Sequence, residues 1–425
     1  MAETLVPGPA EVLTAPDSST ATDSSAAPQP WGSGEPTFHP LTFLVEGEEV
    51  TVGRADQTEY IVLPADAAAL LRRLSGGSTI EAAAKWYADT YGEPVDVAAF
   101  VADLDQLGFL KRDGEPEVLA APVRWQSMGK AIFGPLGAVA YLALFGCWIA
   151  ACVRTPQLLP HPRNLFFMHY MSIMVAALFL SQLPLVLLHE AAHTLAGRRL
   201  GLRSRLSVGR RFYFVVFQTT MDGLIGVPRG KRYLPILAGM LFDAGAIAAL
   251  SLLADAGRTG AGQFDGLARF LLATAYLTWL RLLWQLCIFL QTDLYYLVVT
   301  VCGCTNLHAT AKQQLRNRVR RLTGRPPAHD PADWHPRDRS VSGWYSWVVV
   351  AGYVACLVSA LTSVLPVMSR LATNVIRTFT DHAHRSPASM LDSAILLAMF
   401  SGELGLVGFL HFRERRATSV AGRRG

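Results

Sequence analysis

Long apolar runs separated by short polar segments fill the chain from about residue 131 onward. Each run is close to the roughly 20 residues that a helix needs to cross the hydrocarbon core of a bilayer. We place six such spans, at 131–153, 167–188, 233–254, 267–290, 344–367 and 390–411. The pattern predicts a mainly α, polytopic helical membrane protein, with its membrane domain over 131–411 and the core of that domain over 165–310.

The pattern before the first apolar run is different. Residues 1–38 are rich in Ala, Pro, Ser, Thr and Asp without periodicity, so we predict a disordered tail. Residues 39–113 show three short strand patterns and then three helix patterns, the second capped by Ser78 or Thr79 and the third by Asp96, which predicts a small α+β, winged-helix-like domain. Residues 114–130 are predicted to be a linker, and residues 412–425 a basic cytoplasmic tail.

Charge is distributed unevenly along the chain. Residues 1–113 carry 6 Lys/Arg against 18 Asp/Glu, and the remainder carries 32 against 15. Arginines are concentrated in the 198–232 and 302–343 segments, which by the positive-inside rule predicts that both termini lie in the cytoplasm. We expect a multi-pass protein of a bacterial-type cell membrane. The basic surplus lies between apolar runs, so we expect contact with the lipid bilayer and not with nucleic acid.

The end of the second span carries a pattern typical of metal chemistry. His189 and His193 lie four residues apart, so a helix projects both from one face, with Glu190 beside them. Such a pair can bind Zn²⁺, and the carboxylate can take a proton from a metal-bound water. A third ligand is needed, and Asp293 is expected at the same depth at the end of the fourth span. The alternative is a helix end whose polar groups contact only lipid headgroups and carbonyls.

Three segments resemble the site-2 protease family of intramembrane zinc metalloproteases. They are LLHEAAHTLAGRRLG from position 187, LAGMLFDAG from 237 and TDLYYL from 292. The resemblance implies that His189, His193 and Asp293 bind zinc and that Glu190 is the general base. No organic cofactor is implied.

The chain departs from this family at two positions. Leu294 follows Asp293 where the family usually has Gly, and Met240 follows Gly239 where Pro is common. Asp243 is a candidate for holding the substrate backbone or an oxyanion, or for a purely structural contact. The segment 211–220 is predicted to be a strand that either pairs with an extended substrate or lies at the membrane surface as a simple hairpin.

The remaining polar residues of the apolar runs are predicted to be structural. Arg281 is expected to pair with Glu403 or Asp243 inside the bundle. The six cysteines form no CxxC pair, so neither a disulfide framework nor a zinc ribbon is predicted. Cys302 and Cys304 are expected to be buried thiols and not ligands.

The 39–113 domain resembles the PqqD-like domains, which bind leader peptides of ribosomally made, modified peptides. The resemblance rests on Tyr60-Ile-Val-Leu before the helix with Leu70-Leu71, on Gly76-Gly77-Ser-Thr-Ile, and on the segment 101–110. It implies that a leader peptide adds as a strand to an exposed sheet edge. A regulatory or structural cap is the alternative.

Together these features predict a zinc metalloendopeptidase that hydrolyses peptide bonds near the cytoplasmic face. Its expected substrate is a ribosomally made peptide recruited through residues 39–113. Two alternatives stay open. One is regulated intramembrane proteolysis of a signalling protein, and the other is a non-catalytic peptide-binding or export module.

Overall fold

The computed structural model describes residues 11–12, 35–47, 49–54, 60–112, 115, 123–211, 214–259, 262–359, 386–388 and 390–399, with isolated positions up to 409. The predictions for residues 1–10, 13–34 and 412–425 lie outside these residues. Within them the chain is mainly helical, as predicted, with a small antiparallel sheet in its N-terminal part.

The N-terminal head pairs three antiparallel strands with three helices. The strands are β2 (Leu41–Glu46), β3 (Glu49–Arg54) and β4 (Tyr60–Pro64), with the two residues of β1 (Glu11–Val12) parallel to β4. The helices are α1 (Ala65–Ser75), α2 (Ile80–Tyr91) and α3 (Val97–Gln106). The predicted caps are confirmed: the Thr79 side chain accepts from the backbone N–H of Ala82, and that of Asp96 from Ala99. Alternate residues of the strands and one face of each helix form a single buried core.

The rest of the described chain is built mainly from helices. They are α4 (Gln126–Ile132), α5 (Pro135–Arg154), α6 (Met171–Arg199), α7 (Arg229–Ala256), α8 (Gly266–Trp284), α9 (Asp293–Cys302), α10 (Leu307–Leu322), α11 (Pro336–Ser359) and α12 (Met390–Met399). Among the described residues, five helices are long and apolar enough to cross a membrane, namely α5, α6, α7, α8 and α11. Large apolar side chains such as Leu136 (83% exposed) and Val153 (78% exposed) face outward from α5. These features suggest a membrane protein.

The five helices coincide with the first five predicted spans, but their ends differ. The prediction for 267–290 is wrong at its C-terminal end, because α8 stops at Trp284 and a partly buried turn follows, in which Gln285 is buried and Leu286 is exposed. The turn can form in apolar surroundings because its polar groups bond one another. The Thr292 hydroxyl donates to the Gln285 carbonyl (2.7 Å), and the Asp293 N–H donates to the Gln285 side-chain oxygen (3.0 Å). The sixth predicted span, 390–411, lies partly outside the described residues, and α12 covers only its beginning.

A β-hairpin connects α6 to α7. Its strands, β5 (Arg203–Arg211) and β6 (Phe214–Asp222), pair antiparallel with each other over their full length. The strand predicted at 211–220 is confirmed for residues 214–220, which lie in β6, whereas Arg211 ends β5 and residues 212–213 lie outside the described residues. Both strands pack against α6, the helix that carries the HEAAH segment.

The head contacts the helical body through ion pairs at the start of α7. Glu46, at the end of β2, accepts from the Arg229 backbone N–H (3.0 Å) and from the Arg232 guanidinium (2.8 Å). A second contact joins Glu49 to His335, with 2.6 Å between Oε1 and Nε2. A cavity of ≈ 100 Å³ lies between the two parts. The hairpin of β2 and β3 therefore sits directly on the helical body.

We predict that Glu46→Gln loosens the head. Arg232 is largely buried, with 12% of its side chain exposed, so losing its charged partner is expected to cost the docked state about 1–3 kcal/mol. Hydrogen exchange in full-length protein would then be faster at the start of α7 and in β2. Glu81→Gln, an exposed substitution in the same head, is the matched control. Equal protection in the two variants would contradict the prediction.

Candidate metal centre

Three buried side chains that could hold a metal ion meet where α6, α7 and α9 pack together. His189 and His193 are one helical turn apart on α6, and Asp293 is the first residue of α9. Their ligand atoms lie close together: 3.2 Å separates the two Nε2 atoms, and 3.3 Å separates each of them from Asp293 Oδ2. The structure thus brings together all three residues that the sequence predicted as ligands.

The spacing of the three atoms fits one small cation. Ligand bonds of about 2.05 Å in a tetrahedral arrangement place neighbouring donor atoms roughly 3.3 Å apart. The observed 3.2–3.3 Å edges match this separation. Asp293 Oδ2 is buried and, among the described residues, has no hydrogen-bond partner. A buried carboxylate oxygen without a hydrogen-bond partner favours a bound cation, because burying an unpaired negative charge is costly.

The opposite ring nitrogen of each histidine is already engaged. His189 Nδ1 lies 3.0 Å from Asp243 Oδ2, and His193 Nδ1 lies 2.8 Å from the carbonyl oxygen of Pro235. Both acceptors require a proton on Nδ1, which leaves the Nε2 lone pairs directed at the common point. Two contacts from α7 therefore set the tautomer and orientation of both ligands.

Asp243 belongs to a buried network across three helices. Its carboxylate accepts from the Arg281 guanidinium on α8, with 3.0 Å from Nε to Oδ2 and a second bond to Oδ1. Arg281 also donates to the Gln182 side-chain oxygen on α6 (3.1 Å). Of the two partners predicted for Arg281, the structure shows Asp243, whereas Glu403 lies outside the described residues. Because Asp243 is bonded to His189 and Arg281, the geometry favours a positioning role, and its predicted substrate contact stays a prediction.

Gly239 gives the two histidines the space they occupy. A Cβ atom built on Gly239 would lie 2.3 Å from His193 Nε2 and 2.4 Å from His189 Nε2. No side chain therefore fits at this position of α7 while the rings keep their places. Gly239 thus has a direct steric role in the site.

The Glu190 carboxylate is held by Thr219, a residue of the hairpin that the sequence did not single out. The Thr219 hydroxyl lies 2.9 Å from Glu190 Oε2 and 3.1 Å from the Glu190 carbonyl oxygen. Thr219 belongs to β6 and is fully buried. The available signal was a polar Gln-Thr-Thr run at positions 218–220, closing an otherwise apolar strand.

The start of α9 is anchored by contacts with α10 and α11. The positive end of α9 stabilises the Asp293 carboxylate at its first position. The Tyr295 hydroxyl accepts from the backbone N–H of His308 (3.1 Å), and His308 Nδ1 lies 3.1 Å from the Tyr345 hydroxyl. Burial lowers the pKa of His308 to about 4, so this ring is neutral at neutral pH. A neutral aromatic cluster therefore ties α9 to α10 and α11.

Other candidates from the sequence lie apart from this cluster or outside the described residues. Cys302 is half-buried and Cys304 is buried, and burial raises the pKa of the Cys304 thiol. His169 is exposed just before α6. His382 and His384 are not among the described residues.

Comparison with known proteins gives no assignment. No family model, no curated protein and no solved structure matches this chain. The two family resemblances therefore stay predictions, and the functional argument rests on the residues themselves.

We predict that Gly239→Ala abolishes metal binding. The added methyl group would displace one or both rings from the common point, as the 2.3–2.4 Å approaches require. Metal content measured by mass spectrometry on purified protein should fall at least tenfold. Gly146→Ala on α5, whose Cβ would meet nothing within 4 Å, is the matched control and should keep its metal. A fully loaded Gly239→Ala variant would refute the steric argument.

Proposed function

We propose that this chain is a membrane-embedded zinc metalloendopeptidase similar to the site-2 proteases. The observation that carries the proposal is the convergence of His189, His193 and Asp293 on one point, with Glu190 on the same helix. Two imidazoles and one carboxylate are a typical donor set for catalytic zinc, and three protein ligands leave one position open. Zinc held there would polarise a carbonyl oxygen and lower the pKa of a water molecule.

Glu190 supplies the proton transfer in this proposal. Its carboxylate takes the proton from the attacking water and delivers it to the nitrogen of the leaving amine. The Thr219 hydroxyl, 2.9 Å from Oε2, restricts the carboxylate to one orientation. Asp243 keeps the Nδ1 proton of His189 in place, so that His189 stays a neutral ligand.

The hairpin offers a way to present the substrate. A peptide must be extended before its carbonyl groups can be attacked, because helical hydrogen bonds occupy them. Among the described residues, the strands β5 and β6 pair with each other alone, which leaves an outer edge on each for a substrate strand. Since β6 also holds Glu190 through Thr219, a peptide paired at this hairpin would lie beside the base.

The proposed substrate is a ribosomally made, modified peptide captured by the head. The sheet of β2, β3 and β4 with α1–α3 fits the winged-helix-like pattern expected of PqqD-like domains. The arginine-rich segments favour a cytoplasmic position for the head and for both termini. The head rests on the start of α7 through Glu46, so a captured peptide would be delivered close to the helix that positions the histidines.

Glu190→Gln is the direct test of this proposal. Hydrolysis of a quenched-fluorescence peptide library by the full chain in proteoliposomes should fall at least a thousandfold, because the base is lost. Zinc content should be unchanged, since Glu190 is not one of the three ligands. His193→Ala, in contrast, should lose both metal and hydrolysis. Full activity of Glu190→Gln would exclude the peptidase mechanism, and an inactive wild-type chain with stoichiometric zinc would favour the binding or export alternative.

A finer test addresses Thr219. Thr219→Val removes the hydroxyl while keeping the shape. We expect kcat to fall roughly 10–100-fold, less than the roughly 100–10,000-fold that general-base catalysis contributes, because the Glu190 carboxylate itself remains. KM and zinc content should change little. Thr219→Ser restores the hydroxyl and should recover most of kcat. If Val and Ser behave alike, the contact with Glu190 has only a packing role.

A further inference from the structure

A second, larger cavity lies where the ends of α4, α6 and α7 meet. Its volume is ≈ 590 Å³, within the roughly 300–1,000 Å³ range of small-molecule sites. The cavity beneath the head measures only ≈ 100 Å³. At one wall α4 rests directly on α6, because a Cβ on Gly129 would lie 2.3 Å from the carbonyl oxygen of Leu195.

The charge of this cavity is entirely positive. Lys130, Arg199 and Lys231 line it, from α4, α6 and α7 respectively. In the part of the chain that the structure describes, no acidic side chain lines the cavity and none of the three cations forms an ion pair. The neighbouring Arg232 is different, because Glu46 neutralises it from the head. Three unpaired cations around one space favour an anionic ligand.

The surroundings indicate where that ligand comes from. The cavity lies at the ends of three helices of membrane-spanning length, and Pro135, the first residue of α5, forms part of its rim. The next turn of α5 is apolar and turned outward, with Leu136 83% and Val139 64% exposed. Trp125, at the start of α4, is 61% exposed, in keeping with tryptophan at a membrane–water interface. An acyl chain could therefore leave the cavity along the lipid-facing side of α5.

We propose that this cavity binds the phosphate group of an anionic phospholipid headgroup. The two lysines and Arg199 donate charge-assisted hydrogen bonds to the phosphate, and the acyl chains lie along α5. The inference rests on the membrane placement in the proposed function, but not on the peptidase chemistry.

Lipid retention tests the proposal directly. The full chain is reconstituted in nanodiscs with equal phosphatidylglycerol and phosphatidylcholine, extracted in mild detergent and analysed by mass spectrometry. The wild type should keep about one phosphatidylglycerol, severalfold in excess of phosphatidylcholine. The double variant Lys130→Gln/Lys231→Gln should lose this preference, whereas Lys130→Arg/Lys231→Arg should keep it. Arg316→Gln/Arg321→Gln removes the same charge from exposed positions of α10 and should match the wild type.

Three results would overturn the assignment. Equal retention of the two lipids by the wild type would show no anionic site. Unchanged selectivity in Lys130→Gln/Lys231→Gln would place the bound lipid elsewhere. Displacement of phosphatidylglycerol by excess inorganic phosphate would identify free phosphate as the ligand, and resistance to it supports the lipid. Zinc content and the gel-filtration profile serve as folding controls. Because lipid and not hydrolysis is measured, this outcome is independent of the Glu190→Gln test.

Discussion

Burying charged groups among apolar helices is costly, and the centre of this structure is organised by how each charge is compensated. Asp243 is bonded by Arg281, so that pair is neutral, and His189 adds a hydrogen bond. In the described part of the chain, the polar atoms beside Asp293 Oδ2 are the two histidine Nε2 atoms. With both imidazoles neutral, the cluster carries one uncompensated negative charge. A bound cation is the simplest group that removes it.

The same constraint explains the packing around the site. Helix α7 passes within van der Waals distance of both histidine rings, and the absence of a side chain at Gly239 permits this approach. Asp293 can reach them only if the chain breaks after α8, and that break is tolerated because Gln285 satisfies the polar groups of the turn. The short α9 is then fixed by the aromatic cluster of Tyr295, His308 and Tyr345. The turn after α8 and the short α9 thus both position the Asp293 carboxylate.

The sequence predicted what depends on local pattern and missed what depends on tertiary contact. The five long helices, the capped helices of the head and the shared face of His189 and His193 all follow from periodicity and spacing. The end of α8 did not, because Gln285 satisfies the turn through a residue eight positions away. Arg281 had two possible partners by composition, and only packing selects Asp243. Thr219 was missed because nothing in a strand pattern reveals that one hydroxyl faces a glutamate on a helix.

The metal ligands and the base are held by different parts of the molecule. α6, α7, α8 and α9 fix the three ligands through buried hydrogen bonds, whereas the hairpin fixes the Glu190 carboxylate through a single hydroxyl. A strand added to the hairpin would lie beside the element that carries Thr219, and β5 and β6 make none of the contacts that hold His189, His193 and Asp293. In the proposed function, the substrate therefore meets the part of the molecule that holds the catalytic base, whereas the helices hold the metal ligands. This separation would let a rigid, buried centre act on a peptide that arrives from the head.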